Sequence, residues 1–190
     1  MVHKHYKLYK PSGYLSQFIN NQSRRKNKKL LGELFDFHPD TMPIGRLDQN
    51  SEGLLLLTTN GKLSYKILKG NTEKEYWVLV SGKITLEAIE SLKNGINISI
   101  YGKTYKTKPC QANQIETPNL PEPQHAIKPQ GGNTTSWLSI TLTEGKFRQV
   151  RKMTAKVGFP TLRLVRVRIG HEKIEHLKPK EVYEVNEFNI

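Results

Sequence analysis

The sequence predicts an α+β protein built on a mixed, largely antiparallel sheet core flanked by helices. Three observations lead there. Segments with strand character outnumber segments with helical periodicity, the helical ones are interspersed among them, and one run, "GLLLLTTN", is apolar without alternation. Interspersed helices imply a sheet with helices laid on it. An unbroken apolar run is expected of a strand buried on both faces. The 190 residues suffice for one domain or two small lobes with a working core.

Taken in order, residues 3–9, "HKHYKLY", alternate loosely and form a first short strand, which Pro11 and Gly13 of "KPSG" end. His3 and His5 lack further ligands at a usual metal spacing, so solvated histidines are expected. "NNQSRRKNKKL" (20–30) carries Arg24, Arg25, Lys26, Lys28 and Lys29 with no acid. It reads as a solvated loop or as a set of phosphate contacts. The apolar strand after Gly53 is followed by "KLSYKILKG", a short helix ended by Gly70, and by the aromatic and β-branched strand "KEYWVLVSG" (74–82). Over 85–96, Leu86, Ile89 and Leu92 recur at three-residue spacing with Glu87 and Glu90 opposite, so this is a helix ended by Gly95. "INISIYGKTYKTK" predicts one or two strands around a glycine turn.

Residues 113–135 hold four prolines and a glycine pair with little periodicity. They predict a flexible surface loop inside a single domain over 1–190. "SWLSITLTEG" follows as a strand. "KFRQVRKMTAKVG" (146–158) is a helix with Val150, Met153 and Val157 on one face, Arg148 and Lys152 turned away from it, and Arg151 on its flank. "PTLRLVRVRIG" (160–170) is a strand whose alternation slips between Leu164 and Val165, which suggests a bulge or twist. "EVYEVNEFNI" closes the chain as a last strand.

Charge narrows the partners. Lys and Arg number 30 against 17 acids, a net charge of +13, and the basic residues are clustered. Such a surface attracts polyanions, nucleic acid first. An anionic membrane surface comes next, but no apolar stretch approaches the ~20 residues of a membrane helix, and no membrane partner is expected. The single cysteine, Cys110, admits no internal disulfide and fits a reducing cytoplasm. No nucleotide-binding glycine motif, no Ser-His-Asp order and no metal-ligand cluster is evident. A cofactor-free and metal-free reaction, or no reaction, is what remains. A metal-dependent nuclease would need clustered acids, and Asp48 has only Glu52 near it.

Asp48 in "GRLDQNSEGLLLLTTNG" (45–61) is the residue of interest. An acid beside Arg46 is usually a turn with an ordinary ion pair. Here Gly45 permits an unusual backbone, and the acid stands at the entrance to a buried strand. Partial desolvation there leaves it ionised only with a cation close by. By strand pattern alone, Tyr76 is a core tyrosine.

The segments "KPSGYLSQF" (10–18), "GRLDQNSEGLLLLTTNG" (45–61), "KEYWVLV" (74–80) and "LTEGKFRQVRKMTAKVGFPTLRLVRVRIG" (142–170) resemble, in order, the motifs of the bacterial rRNA pseudouridine synthases of the RsuA and RluB/E/F group. GRLD together with RQVR is specific to that group; either alone is moderate evidence. The resemblance implies the two-lobed fold of that family and an isomerase that detaches a uracil from its ribose, turns it and rejoins it through carbon. Asp48 matches the catalytic aspartate, and Arg46 the arginine that helps displace the target base. Tyr76 matches the tyrosine that packs on the base, and Arg151 the basic residue that pairs with the aspartate. Lys10 and Pro11 match a motif with a structural role. Arg24, Arg25, Lys28, Lys29, Arg148 and Lys152 are then expected to contact RNA. The first motif begins within ten residues of Met1, so no S4-type RNA-binding domain is expected ahead of it, and the chain is most similar to the RluE type, which modifies large-subunit rRNA. Asn50 stands where an Asp is common, and "TTN" replaces a frequent "TND". Expected partners are ribosomal RNA, with no small-molecule cofactor, and a monomer suffices. Without the resemblance, a non-catalytic rRNA-binding or assembly protein fits the charge and the aromatic residues equally well.

Overall fold

A computed structural model describes residues 2–19, 28–129 and 132–190. In chain order the elements are β1 (His5–Lys10), β2 (Met42–Pro43), β3 (Glu52–Thr58), α1 (Gly61–Lys69), β4 (Lys74–Ser81), α2 (Leu86–Lys93), β5 (Asn97–Ile100), β6 (Lys103–Lys106), β7 (Gln111–Ile115), β8 (Thr135–Leu142), α3 (Gln149–Lys156), β9 (Thr161–Ile169), β10 (Glu172–Lys173) and β11 (Val182–Val185). The chain divides into two compact units, residues 1–72 with 166–190, and residues 73–165. Among the described residues no helix is long and apolar enough to cross a membrane.

In the first unit β1 lies between β11 and β3, antiparallel to both, and β2 pairs antiparallel with the far end of β3. The residues that β9 gives this unit extend the order to β11-β1-β3-β9. Every residue of β3 is buried, which is why its sequence shows no alternation. Each of Leu54, Leu55, Leu56 and Leu57 is fully enclosed, contributing ~2 kcal/mol of hydrophobic stabilisation apiece. On one side Leu55 and Leu57 join Tyr6, Leu8 and Leu31, with Phe18, Leu34 and Phe37 packed on the cluster. The Tyr6 and Phe37 rings meet edge to face at 5.2 Å.

His5 is not solvated, as the sequence suggested. It is buried, its Nδ1 lies 2.8 Å from Thr58 Oγ1, and its ring meets Phe188 edge-on. The register His5↔Thr58 forces that side chain inward, and burial lowers its pKa. His3 remains exposed, within hydrogen-bond distance of Thr59.

Asn60 starts α1, its side chain accepting a hydrogen bond from the Leu63 N–H at 3.0 Å. Asn60→Ala is expected to cost about 1 kcal/mol, measured by urea denaturation, because an orphan helix donor loses its acceptor. Gly70 ends the helix, but in an extended conformation rather than a left-handed one.

In the second unit β8 lies between β4 and β7, antiparallel to both. The early residues of β9 place it on the other side of β4. Strands β5 and β6 form a separate antiparallel ribbon. Ala88, Ile89 and Leu92 are the buried residues of α2, whereas Leu86 is 78% exposed. A strict three-residue spacing drifts around a 3.6-residue helix, so Leu86 points about 120° away from Leu92 and off the buried side. The expected loop over 113–135 starts later, because Asn113, Gln114 and Ile115 belong to β7 and pair with Ser139, Leu138 and Trp137. Polar residues suit this strand, which has one neighbour. Beyond it, Arg163 Nη2 donates to Pro121 O at 2.7 Å. Arg163 through Val167 of β9 are buried without a break, so the slipped alternation reflects two covered faces.

Candidate active site

In the first unit the segment carrying Asp48 is held by its neighbours on either side. Ser16 Oγ donates to Leu47 O and accepts from Leu47 N, both at 2.9 Å. Gly13 N donates to Gln49 O at 2.8 Å, and Gln49 Nε2 returns a bond to Gly13 O at 3.1 Å. Lys28 Nζ donates to Gln49 Oε1. The Asp48 carbonyl accepts from Ser51 N at 3.0 Å, which turns the chain into β3. The turn before it uses Gly45 at φ 72, where a Cβ would press against Leu68 at 3.1 Å. So the residues just before and just after Asp48 are fixed through backbone atoms, and Asp48 itself is half-buried. Arg46 is exposed. Lys29 is also exposed, its ammonium 5.5 Å from the Tyr14 ring centroid, and Lys29 and Tyr14 form an isolated parallel bridge.

Lys10 supplies the deepest part of this clamp. It is 0% exposed, and its Nζ donates to Pro11 O and Tyr14 O at 2.8 Å and to Gln49 O at 3.3 Å. One ammonium therefore ties the Pro11–Tyr14 turn to the residue after Asp48. Burial is the main cause that brings its pKa down to about 7; Glu52 and Asp48 pull it upward and Arg166 pushes it down. The ordinary value is 10.5, so between 7 and 10.5 the unfolded chain keeps a proton that the folded chain has released. Stability from this group rises with pH across that window. Urea melts should show the wild type gaining on Lys10→Met from pH 7 upward. A difference that stays constant with pH would contradict this account of Lys10.

The second unit holds Tyr76 on β4, 9% exposed and paired with Ile140 of β8. Beside it Glu75 Oε1 accepts from Ser139 Oγ at 2.9 Å and from Trp77 Nε1 at 3.2 Å, which fixes the strand's other face. Arg151 is half-buried on α3, with Val150 and Met153 anchoring that helix in the core. Arg148 departs from expectation. It is the exposed cap residue of α3 in a left-handed conformation, φ 52, and not a member of the helix. Gln149 explains the turn: its side chain accepts from Lys146 N at 2.9 Å and reaches Glu144, closing the chain on itself one residue after Arg148. Lys152 Nζ donates to Ser99 O at 2.6 Å. Arg24 and Arg25 lie outside the described residues.

Sequence reasoning missed Ser16 and Gln49 as positioning residues. Their signal was present, since Ser16 lies in "KPSGYLSQF" and Gln49 follows Asp48. The pairing of those two motifs through backbone atoms is what a one-dimensional reading lacks. Cys110 is half-buried, its thiol donating to Leu92 O at 3.2 Å, and burial pushes its pKa up to about 11. Such a thiol is structural and unreactive. Among the described residues no group of three or more His, Cys, Asp or Glu is arranged to hold a metal ion.

The family model described as RNA pseudouridylate synthase matches residues 4–156. A Vibrio vulnificus protein named ribosomal large subunit pseudouridine synthase E is 39% identical over 93% of this chain and 73% of its own length. A Xanthomonas axonopodis protein of the same name is 38% identical over 90% of this chain and 88% of its own. A crystal structure of a pseudouridylate synthase superposes with a TM-score of 0.75, covering 96% of this chain and 70% of that one at 24% identity, a likeness of fold.

Proposed function

The chain belongs to the RNA pseudouridylate synthase family, and from that membership we propose that it converts a specific uridine of large-subunit ribosomal RNA to pseudouridine. The observation that carries the reading to particular residues is the clamp of "KPSGYLS" on "GRLDQ", which holds Asp48 through Leu47 and Gln49. A reacting group fixed through its neighbours' backbone keeps its geometry when substrate arrives.

The reaction breaks the bond between uracil N1 and the ribose C1′ and makes one between uracil C5 and C1′. The C5 hydrogen leaves as a proton and N1 gains one, so no electrons are exchanged with a cofactor. A base inside a helix is out of reach, so the target must be flipped, at a cost of a few kcal/mol. Arg46, exposed beside Asp48, takes the role of displacing it. Tyr76 packs on the flipped base, where stacking offsets ~1–3 kcal/mol of that cost. Asp48 acts as nucleophile or base and must be ionised to do so. Arg151 balances its charge in the reaction. Lys28, Lys29, Arg148 and Lys152, together with Arg24 and Arg25, hold the phosphate backbone. The net charge of +13 supports RNA as the partner. The protein works in the cytoplasm as a monomer.

The test incubates the protein with unmodified large- and small-subunit rRNA and locates pseudouridine by carbodiimide treatment and primer extension. A new stop at a uridine of the large-subunit RNA is expected. Binding to both RNAs with no new stop would instead mark a non-catalytic RNA-binding protein.

A further inference from the structure

The β5–β6 ribbon carries an aromatic residue where chain geometry disfavours one. Ile100 pairs with Lys103, so Tyr101 and Gly102 form a two-residue turn, with φ values of 49° and 80°. Turns with both central residues left-handed favour Asn-Gly or Asp-Gly. Tyr101 nevertheless occupies the first position, and it is 80% exposed. Its ring stacks on Phe147, with centroids 5.3 Å apart and planes 16° from parallel. Phe147 is itself 48% exposed. Two large rings are thus held parallel at the surface without being buried by anything in the chain that is described.

The surroundings are cationic. Lys152 Nζ lies 5.0 Å from the Phe147 centroid, and Lys146 Nζ lies 4.8 Å from the Tyr105 centroid. Lys103 and Lys106 are exposed along β6. Glu144 is engaged by the Tyr105 hydroxyl, the Lys108 N–H and the Gln149 amide. Rings that offer a π-face, bordered by lysines, fit an unpaired base and its phosphate.

Resting on the RNA-modifying reading above, we propose that the Tyr101–Phe147 stack is a platform for an unpaired nucleotide of the RNA substrate, distinct from Tyr76. The lysines around it hold the flanking phosphates. An apolar protein partner would gain little from a patch this small and this charged.

The full chain is titrated with a fluorescent, uridine-rich single-stranded RNA at low and moderate salt. Tyr101→Asn removes the ring and supplies a residue the turn prefers, so folding is retained. Its affinity should fall about tenfold while the salt dependence stays as in the wild type, since no phosphate contact is lost. Tyr101→Phe should restore binding. A Tyr101→Asn affinity within about twofold of wild type would overturn the proposal and leave the pair as a lock on the turn or a protein contact. Wild-type pseudouridine formation on rRNA is measured alongside. If the wild type binds through this stack yet makes no pseudouridine, the functional reading fails and the platform stands. If it makes pseudouridine and Tyr101→Asn binds normally, only the platform fails.

Discussion

Asp48→Asn is expected to reduce pseudouridine formation by about 10⁴-fold or more, the scale on which loss of a nucleophile is felt. An amide of nearly the same shape cannot supply an ionised oxygen. The fold should persist, because Leu47 and Gln49 are held by Ser16, Gly13 and Lys10. RNA affinity should be close to wild type, since binding rests on cations and aromatic rings. The variant therefore separates catalysis from binding. Filter binding and thermal melting report the two unchanged quantities, and product analysis reports the lost one. An Asp48→Asn protein that still isomerises uridine would remove Asp48 from the mechanism.

Gly53→Ala should have the largest effect on stability. Gly53 sits in β3 at φ 109, where a side chain is strained. A Cβ there would meet Arg166 O at 2.3 Å and Arg166 N at 2.7 Å, both backbone atoms that cannot swing aside. Arg166 is also tied to β3, its Nε donating to Leu54 O at 2.8 Å. Strain and overpacking add, so a loss of about 3–5 kcal/mol is expected from urea denaturation. Because Gly53 pairs with Lys10, five residues beyond Asp48, any folded fraction should also bind Asp48's neighbours less tightly. A loss under about 1 kcal/mol would mean that β9 can retreat from β3 at little cost.

Much of this was legible in one dimension because the determinants are local. Four adjacent leucines mark β3 as doubly covered, and the spacing of Ile89 with Leu92 and of Val150 with Met153 marks the buried sides of α2 and α3. The GRLD and RQVR segments carried the family. What stayed hidden depends on register and long-range contact. The inward turn of His5 follows from its pairing with Thr58, and Lys10 is sunk among carbonyls that belong to residues up to 39 positions away. Arg148 reads as helical because its neighbours are, yet Gln149 reaching back to Lys146 and Glu144 bends the chain at that point. Leu86 obeys the three-residue spacing and still faces solvent, since that spacing drifts around a helix of 3.6 residues per turn.

The central claim is that this chain itself performs the carbon–carbon rejoining of uracil. Unmodified large-subunit rRNA labelled with tritium at uracil C5 tests it most directly, because the new sugar bond replaces that hydrogen. The wild-type protein, given the RNA with no added metal or cofactor, should release label to water until a fixed small number per RNA molecule is reached, and Asp48→Asn should release none. Label retained by RNA that the wild type demonstrably binds would contradict the account.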